Sequence, residues 1–222
     1  MAASVGRTRA CKLVKMDWQL DAAEVRVLGA LLEKEIATPD YYPLSLNALV
    51  NACNQKSNRE PVVDYDEDTV EQALATLREK GLALRITGRD SRVPKHAQRF
   101  TEKFNLGRRE AAVMCVLMLR GPQTVGELRG RTERLYTFDD LAAVESTLHR
   151  LAEMEFVKQL PRQAGFKEPR FAQLLAGDVE VAMEEDAPSA AHHSADRERI
   201  AALEAEVAEL KRAFEDFRRK FE

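Results

Sequence analysis

Apolar residues return at three- and four-residue steps along most of the chain, and each such stretch predicts a helix. Ala23, Val27, Leu28, Leu31 and Leu32 predict helix one over 21–36, ended by Pro39 and Pro43. Leu46, Leu49 and Val50 predict a short second helix with Ser45 as its N-cap. Val70, Ala73, Leu74 and Leu77 predict a third over 66–80, closed by Gly81. Two β segments are expected around 82–86 and 98–104. The pattern then starts again. A helix over 108–119 stops at Gly121-Pro122, and Thr124 with Glu127 makes a capping box for the next. Thr137 is placed as the cap of a helix over 138–153, and strands near 156–160 and 169–174 flank a loop from Pro161 to Pro169.

The recurrence reaches individual residues. Residues 69–77 resemble 143–151 at an offset of 74, and residues 24–32 resemble 110–118 at an offset of 86. The first copy therefore carries about 12 extra residues between its first and third helices. Three helices followed by a β-hairpin is the pattern of a winged helix. The expected fold is mainly α with small β-hairpin wings (α+β), built as two tandem winged-helix domains, 17–106 and 107–176. Residues 1–16 read as a disordered basic arm or an over-called start before Met16, and 177–195 as an acidic flexible linker. From 196 to 222 the pattern becomes heptad-like. Ile200, Leu203, Val207, Leu210, Phe214, Phe217 and Phe221 occupy successive a and d positions, which predicts a coiled-coil helix and a homodimer. An amphipathic helix folded back on its own domains is the alternative.

Composition narrows the function. The 222 residues carry 34 Lys and Arg against 37 Asp and Glu, so the molecule is not a polycation. No run of 18 apolar residues exists, so no transmembrane helix is expected. Cys11, Cys53 and Cys115 are scattered and odd in number, which fits reduced thiols and a cytoplasmic protein. Phosphate-loop, nucleophile-elbow and zinc-protease motifs are all lacking. His96, His149, His192 and His193 are too scattered for a metal centre. The expectation is a non-enzyme with no cofactor, no metal and no membrane partner.

Charge along the repeats separates two binding surfaces. Over 66–80, five acids (Asp66, Glu67, Asp68, Glu71 and Glu79) face Arg78 and Lys80, and 139–153 is similarly acidic. Neither third helix resembles a reader of a polyanion. The first wing differs, with Arg85, Arg89, Arg92, Lys95 and Arg99 against Asp90 alone. The loop residues Lys56, Asn58 and Arg59 add cations and an amide. A basic wing can grip phosphates without base readout by helix three.

Several long motifs then carry a resemblance. Residues 44–62, Ser91 to Lys95 in the wing, 119–129 and 144–148 together resemble the YceH family of uncharacterised bacterial proteins. Where that family's pattern has Tyr after the wing lysine, this chain has His96. The resemblance implies tandem winged helices and brings no established activity. The leading expectation is a protein associated with double-stranded DNA, regulator-like, using the eight wing and loop residues named above. The alternative is a protein-interaction scaffold like the tandem winged-helix subunits of chromosome-segregation complexes. There the helix-three faces and the coiled tail dock a protein partner.

Overall fold

The computed structural model describes residues 18–87, 93–162 and 168–178. The basic arm, residues 179–195 of the expected linker and the heptad positions from Ile200 to Phe221 lie outside them, as do Arg89 and Arg92. The described chain is a mixed α+β fold with seven helices and small antiparallel sheets.

The first copy opens with α1 (Ala22–Ala37), whose N-cap Asp21 forms a capping box with Glu24. A 3-10 turn at Pro39–Tyr41 and the two-residue strand β1 (Leu44–Ser45) lead into α2 (Leu46–Cys53). Ser45 caps α2 by accepting from the Ala48 N–H at 3.3 Å. Helix α3 (Glu67–Glu79) starts at Asp66 and ends before Gly81, whose φ of +68° suits glycine. Strands β2 (Ala83–Ile86) and β3 (Lys95–Gln98) close the copy, in the sheet order β1-β3-β2.

The second strand of the hairpin lies at Lys95–Gln98, ahead of the expected 98–104, and the chain then turns helical. Phe100 begins α4 (Phe100–Phe104), a single helical turn. The spacing of Phe100 and Phe104 puts both rings on one side. There they meet Phe156 of the second copy at centroid distances of 5.4 and 4.9 Å.

The second copy repeats the order with α5 (Arg108–Arg120), α6 (Val125–Thr132), α7 (Leu141–Glu153), β4 (Val157–Gln159) and β5 (Phe171–Gln173). Thr124 and Glu127 form the expected capping box. Helix α7 begins later than its sequence suggests. Asp140, not Thr137, caps it, accepting from the Ala143 N–H at 2.7 Å. Phe138 is 3% exposed and belongs to the core, which keeps the preceding turn out of the helix. A bridge between Gln123 and Phe171 stands where β1 stands in the first copy.

Burial joins the two copies. Helix α1 is buried from Glu24 to Glu33 and α5 from Glu110 to Leu119, without the solvent-facing stripe of a surface helix. Each packs on its own copy and on the other. Where they meet, a Cβ on Gly29 would sit 2.9 Å from Leu119 Cδ2 and 3.1 Å from Met118 Cβ. The Cys115 thiol lies 3.7 Å from the Gly29 carbonyl. One apolar cluster therefore runs through both copies. Gly29→Ala forces the two helices apart and should lower stability by about 1–3 kcal/mol. A reduced urea midpoint at unchanged slope would register it. Gly126→Ala, whose Cβ meets nothing within 4 Å among the described residues, should produce no such loss.

Candidate functional site

The first hairpin holds Arg85 and Lys95, both exposed. In the antiparallel register Arg85 lies opposite His96 and Ile86 opposite Lys95. Residues directly across share a face, and neighbours along a strand alternate. One face therefore carries Arg85, His96 and Leu44, and the other Lys95, Ile86 and Ser45. Ile86 at the end of β2 and Val93 two residues before β3 are 42% and 54% exposed.

The remaining sequence candidates scatter. Lys56 is exposed in the loop after α2. Arg99, just before α4, pairs with Glu102 at 3.1 Å. Asn58 sits at φ 59°, and its Oδ1 accepts from Arg120 Nη1 at 3.0 Å. Arg59 is not a phosphate grip, because it is 4% exposed. Its Nη2 pairs with Glu33 Oε2 at 2.5 Å and also donates to the Ala52 carbonyl at 2.8 Å. A guanidinium this deep needs a carboxylate close by, and Glu33 of α1 supplies it. Arg134 of the second copy donates to the other oxygen of the same carboxylate. Burial pushes the Glu33 carboxyl up, but the Arg59 hydrogen bond and the charges of Arg59, Arg134 and Lys34 outweigh it and hold it below its usual range.

Arg26, also buried, performs a related task. Its guanidinium donates to the Cys53 carbonyl at 3.0 Å and to the Pro61 carbonyl at 2.5 Å, fixing the long loop after α2. The sequence signal for these structural ions is a charged residue inside an apolar helical stretch, at Arg26 and Glu33 of α1.

The third helices keep their acidic exteriors. Glu67, Asp68, Glu71 and Glu79 are exposed on α3, and Glu145 and Glu153 on α7. A shallow groove of about 450 Å³ runs along α7, lined by Ala142, Glu145, Ser146, His149, Arg150 and Glu153. Cys53 and Cys115 are buried, and burial pushes the Cys53 thiol up to about 12. That keeps it protonated near neutral pH, unlike a nucleophilic thiol. Among the described residues, no group of three or more His, Cys, Asp and Glu is placed to hold a metal. Nor is any described helix long and apolar enough to cross a membrane.

His96 is buried at 6% exposure, and its Nδ1 has no hydrogen-bond partner among the described residues. Burial first, then the charges of Arg78 and Arg85, lower its pKa from 6.5, against a smaller opposing effect of Glu71. The folded state thus favours neutral His96, while the unfolded chain takes up a proton more readily. The resulting stability is fully present above pH 6.5 and is lost as pH falls through the lowered folded value. The thermal midpoint of the wild type should fall more steeply than that of His96→Gln between about pH 7 and pH 5, as thermal melts at matched ionic strength would read.

Comparison with known proteins gives a consistent picture. A family profile described as "Protein of unknown function, DUF480" matches residues 20–166. A UPF0502 protein of Solibacter usitatus is 78% identical over 208 residues, covering 93% of this chain and all of the relative. Those of Opitutus terrae and Geobacter sulfurreducens are 56% and 49% identical over 172 and 220 residues. They cover 76% and 93% of this chain and 75% and 100% of the respective relatives. The family resemblance read from residues 44–62 and the later motifs agrees with these matches. The chain belongs to the DUF480/UPF0502 family of uncharacterised bacterial proteins.

Proposed function

We propose that this chain is a tandem winged-helix protein that associates with double-stranded DNA, using its first hairpin as a wedge. The observation that carries the reading is the register placing Arg85 and Lys95 on opposite faces of that hairpin. A hairpin that enters a minor groove meets a phosphate wall on each side, so cations on both faces suit it. Exposed Ile86 and Val93 supply the apolar edge such wedges use against base steps. Arg89 and Arg92 add charge in the sequence between the two strands. Helix α3 takes no base-reading role here, because its carboxylates would face phosphate. The winged-helix reading is supported by the recurrent element order and by the β1-like bridge at Gln123.

A second reading has its own support. The exposed carboxylates of α3 and α7 suit a protein scaffold that docks a basic partner, with the groove along α7 as a seat. The heptad from Ile200 to Phe221 would then pair two copies of the chain.

Fluorescence anisotropy with a labelled random duplex at two salt concentrations tests the first reading. The wild type should bind with steep salt dependence. Arg85→Ala/Lys95→Ala should flatten the slope of log K against log salt by about 2, one for each phosphate no longer neutralised. An unchanged slope, or no binding at low salt, would reject the wedge. In the latter case, partner retention abolished by Glu71→Lys/Glu79→Lys would favour the scaffold.

A further inference from the structure

We propose that the groove at the seam between the two copies binds a small phosphate ester. This goes beyond the DNA reading and does not rest on it. The groove has a volume of about 510 Å³ and is lined by Asn58, Arg120, Gly130, Arg131, Glu133 and Arg134. Three guanidinium groups reach it, from the end of α5, from α6 and from the turn that follows. Two have carboxylates of their own: Arg131 pairs with Glu127 at 3.1 Å, and Arg134 with buried Glu33. Arg120 has the Asn58 amide oxygen at 3.0 Å and, among the described residues, no carboxylate within ion-pair distance. Burial and the charges of Arg131 and Arg134 hold its pKa below the usual value despite Glu60 and Glu127. A planar donor fork kept among other cations without an anion of its own is a receptor for phosphate or carboxylate oxygens.

Two backbone features point into the same groove. Asn58 adopts φ 59°, a left-handed conformation that asparagine tolerates better than most residues, and its amide is what holds Arg120. Gly130 lies inside α6, where alanine would stabilise the helix, yet a Cβ there would meet nothing within 4 Å among the described residues. Packing does not require glycine at this position. Its bare backbone leaves room for a ligand to lie against the helix.

Size and charge narrow the ligand. The groove is open, and its lining comes from the loop after α2, the end of α5, α6 and the turn beyond it, more segments than a lone phosphate would touch. Glu133 at the rim supplies an acceptor for hydroxyl or amino donors, which a sugar phosphate or a nucleotide carries and an inorganic anion lacks. An occupant would bridge Arg120, held by the first copy's loop, to Arg134, tied to Glu33 of α1. Binding would therefore tighten the seam.

The test is calorimetric titration and thermal melting of the full chain at low ionic strength, without DNA. Adenosine monophosphate, adenosine and inorganic phosphate are the probes. Adenosine monophosphate should raise the melting temperature and adenosine should not. Arg120→Gln should weaken adenosine monophosphate binding about tenfold or more. Gly130→Ala should weaken it too while its ligand-free melting temperature holds or rises, an effect that a purely structural role for the groove would not produce. No shift in the wild type, a shift preserved in both variants, or inorganic phosphate binding as tightly as the nucleotide would each overturn the proposal.

Discussion

Where α1 crosses α5, no side chain stands between the Gly29 backbone and Leu119, and that absence sets the spacing of the two helices. The approach buries both helices on every side, which is why neither carries a polar stripe from Glu24 to Glu33 or from Glu110 to Leu119. The rest of the described chain is arranged around this pair. Leu20 bonds to Leu175 at 2.7 Å, joining the start of the first copy to the end of the second. Phe100, Phe104 and Phe156 meet edge to face and add a second contact between the copies.

Charged groups taken into the interior give the crossing its register. Glu33 receives Arg59 from its own copy and Arg134 from the other. Such a cluster contributes little net stability, since desolvation offsets most of the attraction. It does penalise any other alignment of the helices, because a slip would leave a buried carboxylate or guanidinium without its counterion. The same loop that brings Arg59 inward brings Asn58 to Arg120 and the Glu60 N–H to the Leu119 carbonyl at 2.9 Å. The extra residues of the first copy thus act at the seam. Buried Glu24 and Glu110, equivalent in the two copies, pair with Lys80 and Arg150 near the ends of α3 and α7. At the offset of 74 the two cations are not equivalent positions, since Lys80 aligns with Met154 and Arg150 with Thr76.

Local chemistry is legible in the sequence, and long-range chemistry is not. Ser45, Asp66 and the Thr124–Glu127 box mark helix starts because a cap is satisfied within three residues. Thr137 misleads because it satisfies a turn, donating to the Glu133 carbonyl, while Asp140 does the capping. Residues 98–104 look strand-like, yet Phe100 and Phe104 are spaced for a helix that reaches Phe156 in the other copy. Arg59 looks like a surface cation because its partner Glu33 is 26 residues away. Lys95 and Arg85 look like one basic patch, and only the strand register separates them onto two faces. The apolar run Val25, Val27, Leu28, Ala30, Leu31 and Leu32 exceeds what a single buried face needs. That excess is the sequence's trace of the second neighbour.

At the offset of 86 that aligns α1 with α5, Gly29 and Cys115 are equivalent positions, and they touch each other. A residue meeting its own counterpart is the mark of a two-fold axis. Within this single chain the contact resembles the one that residues on the axis of a homodimer make. In a true homodimer both positions must hold the same residue, so two glycines would leave a gap at the axis and two cysteines would crowd it. Two positions of one chain are free of that restriction. One side can give up its side chain entirely and the other can fill the space with a small sulfur-bearing one. The same freedom lets Glu33 lie buried in α1 while Leu119 occupies the matching place in α5. The clasp on Glu33 and the arginine groove are asymmetric in the same way, each drawing its residues unequally from the two copies.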